Sequence, residues 1–216
     1  MSVTVLLADD HRLVREGLQV LLESHADIKV VGHAADGREA IQQASKLCPD
    51  VMLLDIAMPG MNGIDVTSQI RSLCPSTRVI ILSMHATHEH LDRALQAGAH
   101  GYVLKESAGA EVVSAIRSVS QGHHYLSPRL SDLVVKSYVS GEGHLELDSP
   151  LSRLSARERE VLQLVVEGNS SSEIAGLLHL SAKSVETYRS RLMSKLNIDN
   201  LPALVKFAIA HGVTSV

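Results

Sequence analysis

The chain has 216 residues, with 20 Lys and Arg against 24 Asp and Glu for a formal charge of −4, and 45% of it is apolar. That balance belongs to a folded globular chain of one or two domains and excludes a disordered one. No run of about 18 uncharged apolar residues occurs, which excludes a membrane-spanning helix, and one Phe, four Tyr and no Trp leave little on which to stack single-stranded bases.

The first 120 residues alternate two periods. Short apolar runs, Val3–Ala8, Ile28–Gly32, Val51–Leu54, Val79–Leu82 and Gly101–Leu104, read as strands. Between them, Leu13–Glu23, Arg38–Leu47, Gly63–Leu73, Glu89–Ala97 and Ala110–Ser120 carry helical spacing. Repeated βα units of this kind predict a doubly wound, five-stranded parallel sheet with helices on both faces. Residues 121–149 change character and read as a linker: Ser127-Pro128 caps an expected helix Pro128–Tyr138, and Gly141–Pro150 reads as a joint. From residue 150 to 216 only helical signals remain. Ser155-x-x-Glu158 opens Ala156–Glu167 as a capping box; Ser172–Leu178, Ala182–Leu196 and Pro202–His211 follow, predicting a small all-α domain.

Three features bear on compartment and metals. Met1-Ser2-Val3 enters strand-like sequence without a basic stretch, so no secretory signal is expected. Cys48 and Cys74 form neither a C-x-x-C pair nor a disulfide framework; a reducing, cytoplasmic setting is expected. His85, His88 and His90, with His123-His124, suggest zinc only superficially, because no closed set of four ligands accompanies them; they read as partly exposed side chains.

The strand ends carry the chemistry. Asp9 and Asp10 follow the first strand, Asp55 the third, Ser83 the fourth and Lys105 the fifth. Ligands of an open parallel sheet sit at the carboxyl ends of its strands, so these five side chains are expected to share one cleft. One strand-end acid is ordinarily a solvated loop residue; five matched groups on four strands are not. Clustered carboxylates suit Mg²⁺ (or Mn²⁺), Asp55 suits a carboxylate nucleophile that accepts a phosphoryl group, and Lys105 with the metal neutralises the oxygens of that group. Ser83 is placed to donate to them.

The segments LLADDH (6–11), LLDIAMPGMNG (53–63), ILS (81–83) and GYVLK (101–105) together resemble the receiver domain of two-component response regulators. That resemblance implies a flavodoxin-like fold, Asp55 as phosphoacceptor, and a metal held by Asp9, Asp10, Asp55 and the carbonyl of Ala57. It also implies Ser83 and Lys105 as phosphate-binding switch residues, Tyr102 as the aromatic that reorients, and Pro59-Gly60 as the turn after the nucleophile. Ala57 offers no acid or base where phosphohydrolases of this chemistry place one, which favours a held phosphoryl group over an enzyme's turnover. Slow hydrolysis would bring water past Ala57 and His85.

Charge is segregated: residues 1–120 carry a net −4 and residues 151–216 a net +2, and a basic helix is the footprint of a nucleic-acid binder. Ile174, Ala175 and Leu178, a short turn, then Val185, Tyr188, Leu192 and Leu196 give helix-turn-helix spacing. The buried stripe leaves Lys183, Glu186, Thr187, Ser190 and Ser194 outward, with Arg189 and Arg191 on the flanks and Lys195 among the basic residues of the same helix. Residues 154–198 resemble the LuxR-type DNA-binding domain, whose base-contacting positions fall on Glu186, Thr187 and Ser190; Tyr188 stands where that family often has histidine. Leu201, Leu204, Val205 and Ile209 are then candidates for dimerisation, weighed equally against a core role. The combined resemblance is to NarL/FixJ-type regulators. It implies a sensor histidine kinase, double-stranded promoter DNA bound as a homodimer and a possible contact with RNA polymerase as partners, and no membrane. The alternative is a phosphorylation-independent DNA-binding factor whose receiver only dimerises; intact Asp55, Ser83 and Lys105 argue against it.

Overall fold

The computed structural model describes residues 2–84, 87–139 and 149–214. Strands β1 (Val3–Ala8), β2 (Ile28–Ala34), β3 (Val51–Asp55), β4 (Arg78–Ser83), β5 (Gly101–Leu104) and β6 (Tyr125–Leu126) form one sheet in the order β2-β1-β3-β4-β5-β6. Every neighbouring pair is parallel. Helices α1 (Arg12–Glu23), α2 (Gly37–Leu47), α3 (Gly63–Leu73), α4 (His88–Ala97) and α5 (Ala108–Ser120) cover its two faces. Successive strand residues point to opposite sides: Leu6, Met52, Leu54 and Ile81 enter one core with residues of α2, α3 and α4, while Val5, Leu7, Leu53 and Ile80 enter another with residues of α1 and α5. Burial on both faces is why the strands read as unbroken apolar runs.

Two expectations are corrected here. The sheet has six strands, not five: Tyr125 and Leu126 pair with Gly101 and Tyr102. A two-residue strand behind His123-His124 is too short to show a period. Its consequence is that the first part of the expected linker is built into the α/β unit, since Leu130 of α6 (Pro128–Val139) is fully buried in the same core as Leu54 and Tyr102. Ser127 ties this segment down, its Oγ accepting from the Leu104 amide at 3.1 Å. The second correction is His90, expected to be partly exposed. It is 4% exposed, with Nδ1 2.6 Å from the Oγ1 of Thr87, the N-cap of α4. His85 and positions 141–148 of the expected joint lie outside the described residues.

After a 3₁₀ turn at Pro150–Arg153, α7 (Ala156–Val166), α8 (Ser171–Leu178), α9 (Ala182–Leu196) and α10 (Leu201–Ala210) enclose a separate apolar core. The Ser155/Glu158 capping box is present in both directions, and a second joins Ser170 and Glu173. Left-handed His179 (φ 53) and Asn197 (φ 55) stop α8 and α9. That tight stop at His179 turns α8 into α9 within three residues, and Val185 and Leu192 of α9 are fully buried.

Candidate functional site

Loops leaving the carboxyl ends of β1, β3 and β5 bring the acidic cluster together. Asp9 is 1% exposed and Asp55 3%, and the Lys105 ammonium lies 2.8 Å from Asp9 Oδ2 and 2.9 Å from Asp55 Oδ2. Burial pushes the Asp55 carboxyl above the ordinary aspartate value; Lys105 opposes this and Asp9 adds to it. Burial acts to lower the Lys105 ammonium, but Asp55 and Asp9 outweigh it and hold it above the ordinary lysine value. Ser83, at the end of β4, is 2% exposed and shares a hydrogen bond with Tyr102. Tyr102 is turned fully inward, and burial pushes its hydroxyl up to about 12.

His11 is a member of this cluster that the sequence reading passed over, although it closes the LLADDH segment. Its amide donates to Asp9 Oδ1 at 2.8 Å, and its Nδ1 lies 2.7 Å from Asp10 Oδ1. Ligand atoms of Asp9, Asp10, His11 and Asp55 all lie within 4.8 Å of one another. Among the described residues, Asp9 Oδ2, Asp10 Oδ1 and Asp55 Oδ2 are buried and engaged by ion pairs to Lys105 and His11. Three carboxylates of hard oxygen donors with spare lone pairs are the donor set a divalent cation of the Mg²⁺ class takes.

Gly63 holds the nucleophile's strand end in place, and the sequence reading had assigned it no role. A Cβ there would overlap the Asp55 carbonyl oxygen, lying 2.9 Å from its carbon and 3.1 Å from Ile56 Cα. Only glycine allows α3 to start this close to β3, where the Gly63 amide donates to the Ile56 carbonyl at 2.9 Å. Gly60, at φ +72, supplies the left-handed residue of the turn.

On α9, Lys183, Glu186, Thr187, Ser190, Arg191, Ser194 and Lys195 are exposed, and Arg189 is half-buried. The exposed run Lys183, Glu186, Thr187 and Ser190 makes a continuous polar face. Three of these side chains have internal partners: Ser171 Oγ donates to the Glu186 carboxylate, Thr187 Oγ1 donates to the Lys183 carbonyl at 2.9 Å, and Lys195 Nζ lies 2.7 Å from buried Glu158 Oε2. Lys195 therefore serves α7 before it can serve a phosphate. On α10, Leu201 and Ile209 are exposed and Val205 half-buried, but Leu204 is fully buried in the helical core. Of the two roles weighed for it, Leu204 thus takes the core one.

The two halves touch beside Asp55. Gln163 Nε2 donates to the Met58 carbonyl at 2.7 Å, and the Gly60 amide donates to Glu167 at 3.0 Å. Arg159 pairs with Asp65 at 2.6 Å. The end of α10 is held as well: Asn62 donates to the Gly212 carbonyl at 3.0 Å, Arg93 to that of His211 at 2.9 Å, and His211 Nδ1 lies 2.7 Å from Glu89.

Among known proteins, residues 5–117 match the response regulator receiver domain and residues 152–208 the bacterial regulatory proteins of the luxR family. The chain is 38% identical over 208 residues to the oxygen regulatory protein NreC of Staphylococcus carnosus, across 95% of this chain and 96% of that one. It is 38% identical over 211 residues to the response regulator UvrY of Escherichia coli, across 98% and 95%. The structure of RcsB from Salmonella enterica bound to promoter rprA is similar at a TM-score of 0.63 and 30% identity, over 96% of this chain and 98% of that one. With both domain models in order along one chain and relatives aligned over nearly its whole length, this protein belongs to the NarL/FixJ-type two-component response regulators, which regulate transcription through a LuxR-type helix-turn-helix domain.

Proposed function

We propose that Asp55 is the phosphoacceptor of this regulator, that a sensor histidine kinase is the donor, and that the phosphoryl group controls binding of residues 150–216 to promoter DNA. The observation that carries this reading is the placement of one ammonium, Lys105, within 2.9 Å of two buried carboxylates from different strands. An Asp55 carboxylate oxygen attacks phosphorus, a P–O bond forms, and the P–N bond to the donor imidazole breaks. Lys105 leaves its pairing with Asp55 to meet the incoming phosphoryl oxygens, and Ser83 donates to the same group. Asp9, Asp10, Asp55 and the Ala57 carbonyl would hold Mg²⁺ or Mn²⁺, which supplies charge neutralisation on those oxygens. Ala57, with a methyl side chain, places no acid or base beside the acyl phosphate, in keeping with a group that is held and not turned over.

In this reading the chain divides into a receiver (1–120), a connecting segment (121–149) and a DNA-binding unit (150–216), with coupling through the turn after Asp55. Met58, Gly60 and Asn62 are bonded to Gln163, Glu167 and Gly212, so an acyl phosphate that reshapes this turn biases the docking of the other half. The α9 face is open to solvent in the docked form, whereas the end of α10 is pinned to Glu89 and Arg93. Leu201 and Ile209 are exposed as well, so what phosphorylation releases is the pinned end of α10, which frees that helix to pack against a second copy, and not access of α9 to the groove. RcsB dimers bound to DNA are a precedent in a relative. No described helix is long and apolar enough to cross a membrane, in keeping with a cytoplasmic protein acting on chromosomal DNA, within reach of RNA polymerase.

The test is genome-wide footprinting with the full chain, with and without a small acyl-phosphate donor and Mg²⁺. The donor should raise occupancy of pseudo-symmetric sites for the wild type and leave Asp55→Asn unchanged; equal occupancy in all four samples overturns the proposal.

A further inference from the structure

We infer that Cys48 and Cys74 form a redox-responsive dithiol that closes to a reversible disulfide. The two residues are separated by 26 positions and cap neighbouring helices, Cys48 at the end of α2 and Cys74 at the end of α3. Their sulfurs stand 3.1 Å apart, so a bond of about 2.05 Å requires an approach of about 1 Å. The backbone around both is held in register. Thr77 Oγ1 donates to the Pro49 carbonyl at 2.7 Å and the Arg78 amide to the Asp50 carbonyl at 2.9 Å. Each cysteine is followed by a proline, Pro49 and Pro75, which stiffens the two turns. The pair is thus held by the strand entrances, β3 and β4, and does not depend on helix ends fraying together.

The two thiols are unequal in a way that orders the chemistry. Cys48 is exposed, whereas Cys74 is 2% exposed and its Sγ donates to the Ala44 carbonyl at 3.3 Å. Burial and the neighbouring sulfur push the Cys74 thiol up to about 11, so it stays protonated until it reacts. A hydroperoxide from solvent reaches Cys48 first. The Cys48 thiolate attacks the peroxide, an S–O bond forms, the O–O bond breaks and hydroxide (or alkoxide) leaves, giving a sulfenic acid. The Cys74 sulfur then attacks Cys48 Sγ, the S–S bond forms, the S–O bond breaks, and the departing hydroxide takes the Cys74 proton as water. Two thiols are oxidised and one peroxide reduced; a cellular thiol reverses the bond by exchange. In a reducing compartment such a disulfide is transient and sensory in character. The loop it closes, residues 48–74, contains Asp55, its turn and all of α3, so oxidation restrains the segment that phosphorylation is proposed to reshape; the pairing itself does not depend on that proposal.

The test treats the full chain with one equivalent of hydrogen peroxide and maps thiols by alkylation and intact mass. Expected is a monomer lighter by about 2 Da, a Cys48–Cys74 cross-linked peptide, and full recovery with dithiothreitol. Cys74→Ser should stop at a sulfenic acid on Cys48 that a cyclic dione traps. Cys48→Ser, changed only at an exposed side chain, should leave Cys74 unmodified. A chain that gains oxygen on Cys48 while Cys74 remains alkylatable, or that links only between copies, overturns the inference whatever the outcome at Asp55.

Discussion

Replacing Gly63 with alanine should damage the phosphoacceptor strand more than any other exchange of a small residue near it. The added methyl would overlap the Asp55 carbonyl oxygen and approach two further backbone atoms, at 2.9 and 3.1 Å; none of these is the end of a flexible side chain. Relief requires α3 to draw back from β3 by about 1 Å. Overpacking of this kind costs about 3 kcal/mol, and stretching the Gly63–Ile56 hydrogen bond adds about 1 kcal/mol. The sum is a large share of the roughly 5–15 kcal/mol that holds a domain folded. A displacement of about 1 Å at the nucleophile also lowers the phosphorylation rate by about 10²-fold. Urea unfolding and the rate of labelling by a small phosphodonor measure the two effects. Two controls separate crowding from backbone effects: Gly60→Ala has open space but a φ of +72 and should cost about 1–2 kcal/mol. Gly109→Ala, in α5 with nothing within 4 Å, should be neutral or stabilise by about 0.5 kcal/mol. If Gly63→Ala unfolds within about 0.5 kcal/mol of wild type and labels at the normal rate, the close approach of α3 to Asp55 is not what positions the nucleophile.

Other expectations follow from named contacts. Glu158 has its carboxyl below the usual range: burial opposes this, but Lys195 and Ser155 outweigh it. Its contribution to stability is therefore full above about pH 4.3 and is lost as pH falls through the lower folded value; acid titration of unfolding should show a shallower acid limb in Glu158→Gln. Asp65→Ala removes the partner of Arg159 and should loosen docking by about 1–2 kcal/mol, roughly a 5–30-fold shift in population, read as dimer on DNA without a phosphodonor. On α9, Thr187→Ala or Glu186→Ala should change which bases are preferred, while Arg189→Ala or Arg191→Ala should weaken all sequences alike and flatten the salt slope by about one unit.

What could be read from the amino-acid order was whatever repeats or lies at a strand end. Asp9, Asp55, Ser83 and Lys105 each follow an apolar run, and a parallel sheet has only one edge at which such positions meet. The stripe Val185, Tyr188, Leu192 and Leu196 announced α9 through its period alone. What escaped depends on distance across the fold. Strand β6 is too short to have a period, and Gly63 matters only because β3 passes behind it. Cys48 and Cys74 meet because α2 and α3 end side by side. Leu204 and Ile209 share one apolar helix, yet packing against α7 and its neighbours buries the first and leaves the second exposed; the pattern of α10 alone does not separate them. Lys195 looked like a free cation on a basic helix until Glu158, 37 residues earlier, was found beneath it.

The most direct test of the account is the position of the phosphate. The full chain, incubated with a small acyl-phosphate donor and Mg²⁺, should gain one acyl phosphate, labile to acid and to base, and reductive tagging followed by peptide mapping should place it on Asp55. Asp55→Asn should gain none while leaving the fold intact, and chelation of the metal should abolish labelling of the wild type. A phosphate found on another residue, or equal labelling of Asp55→Asn, would contradict the assignment of this cleft as the switch.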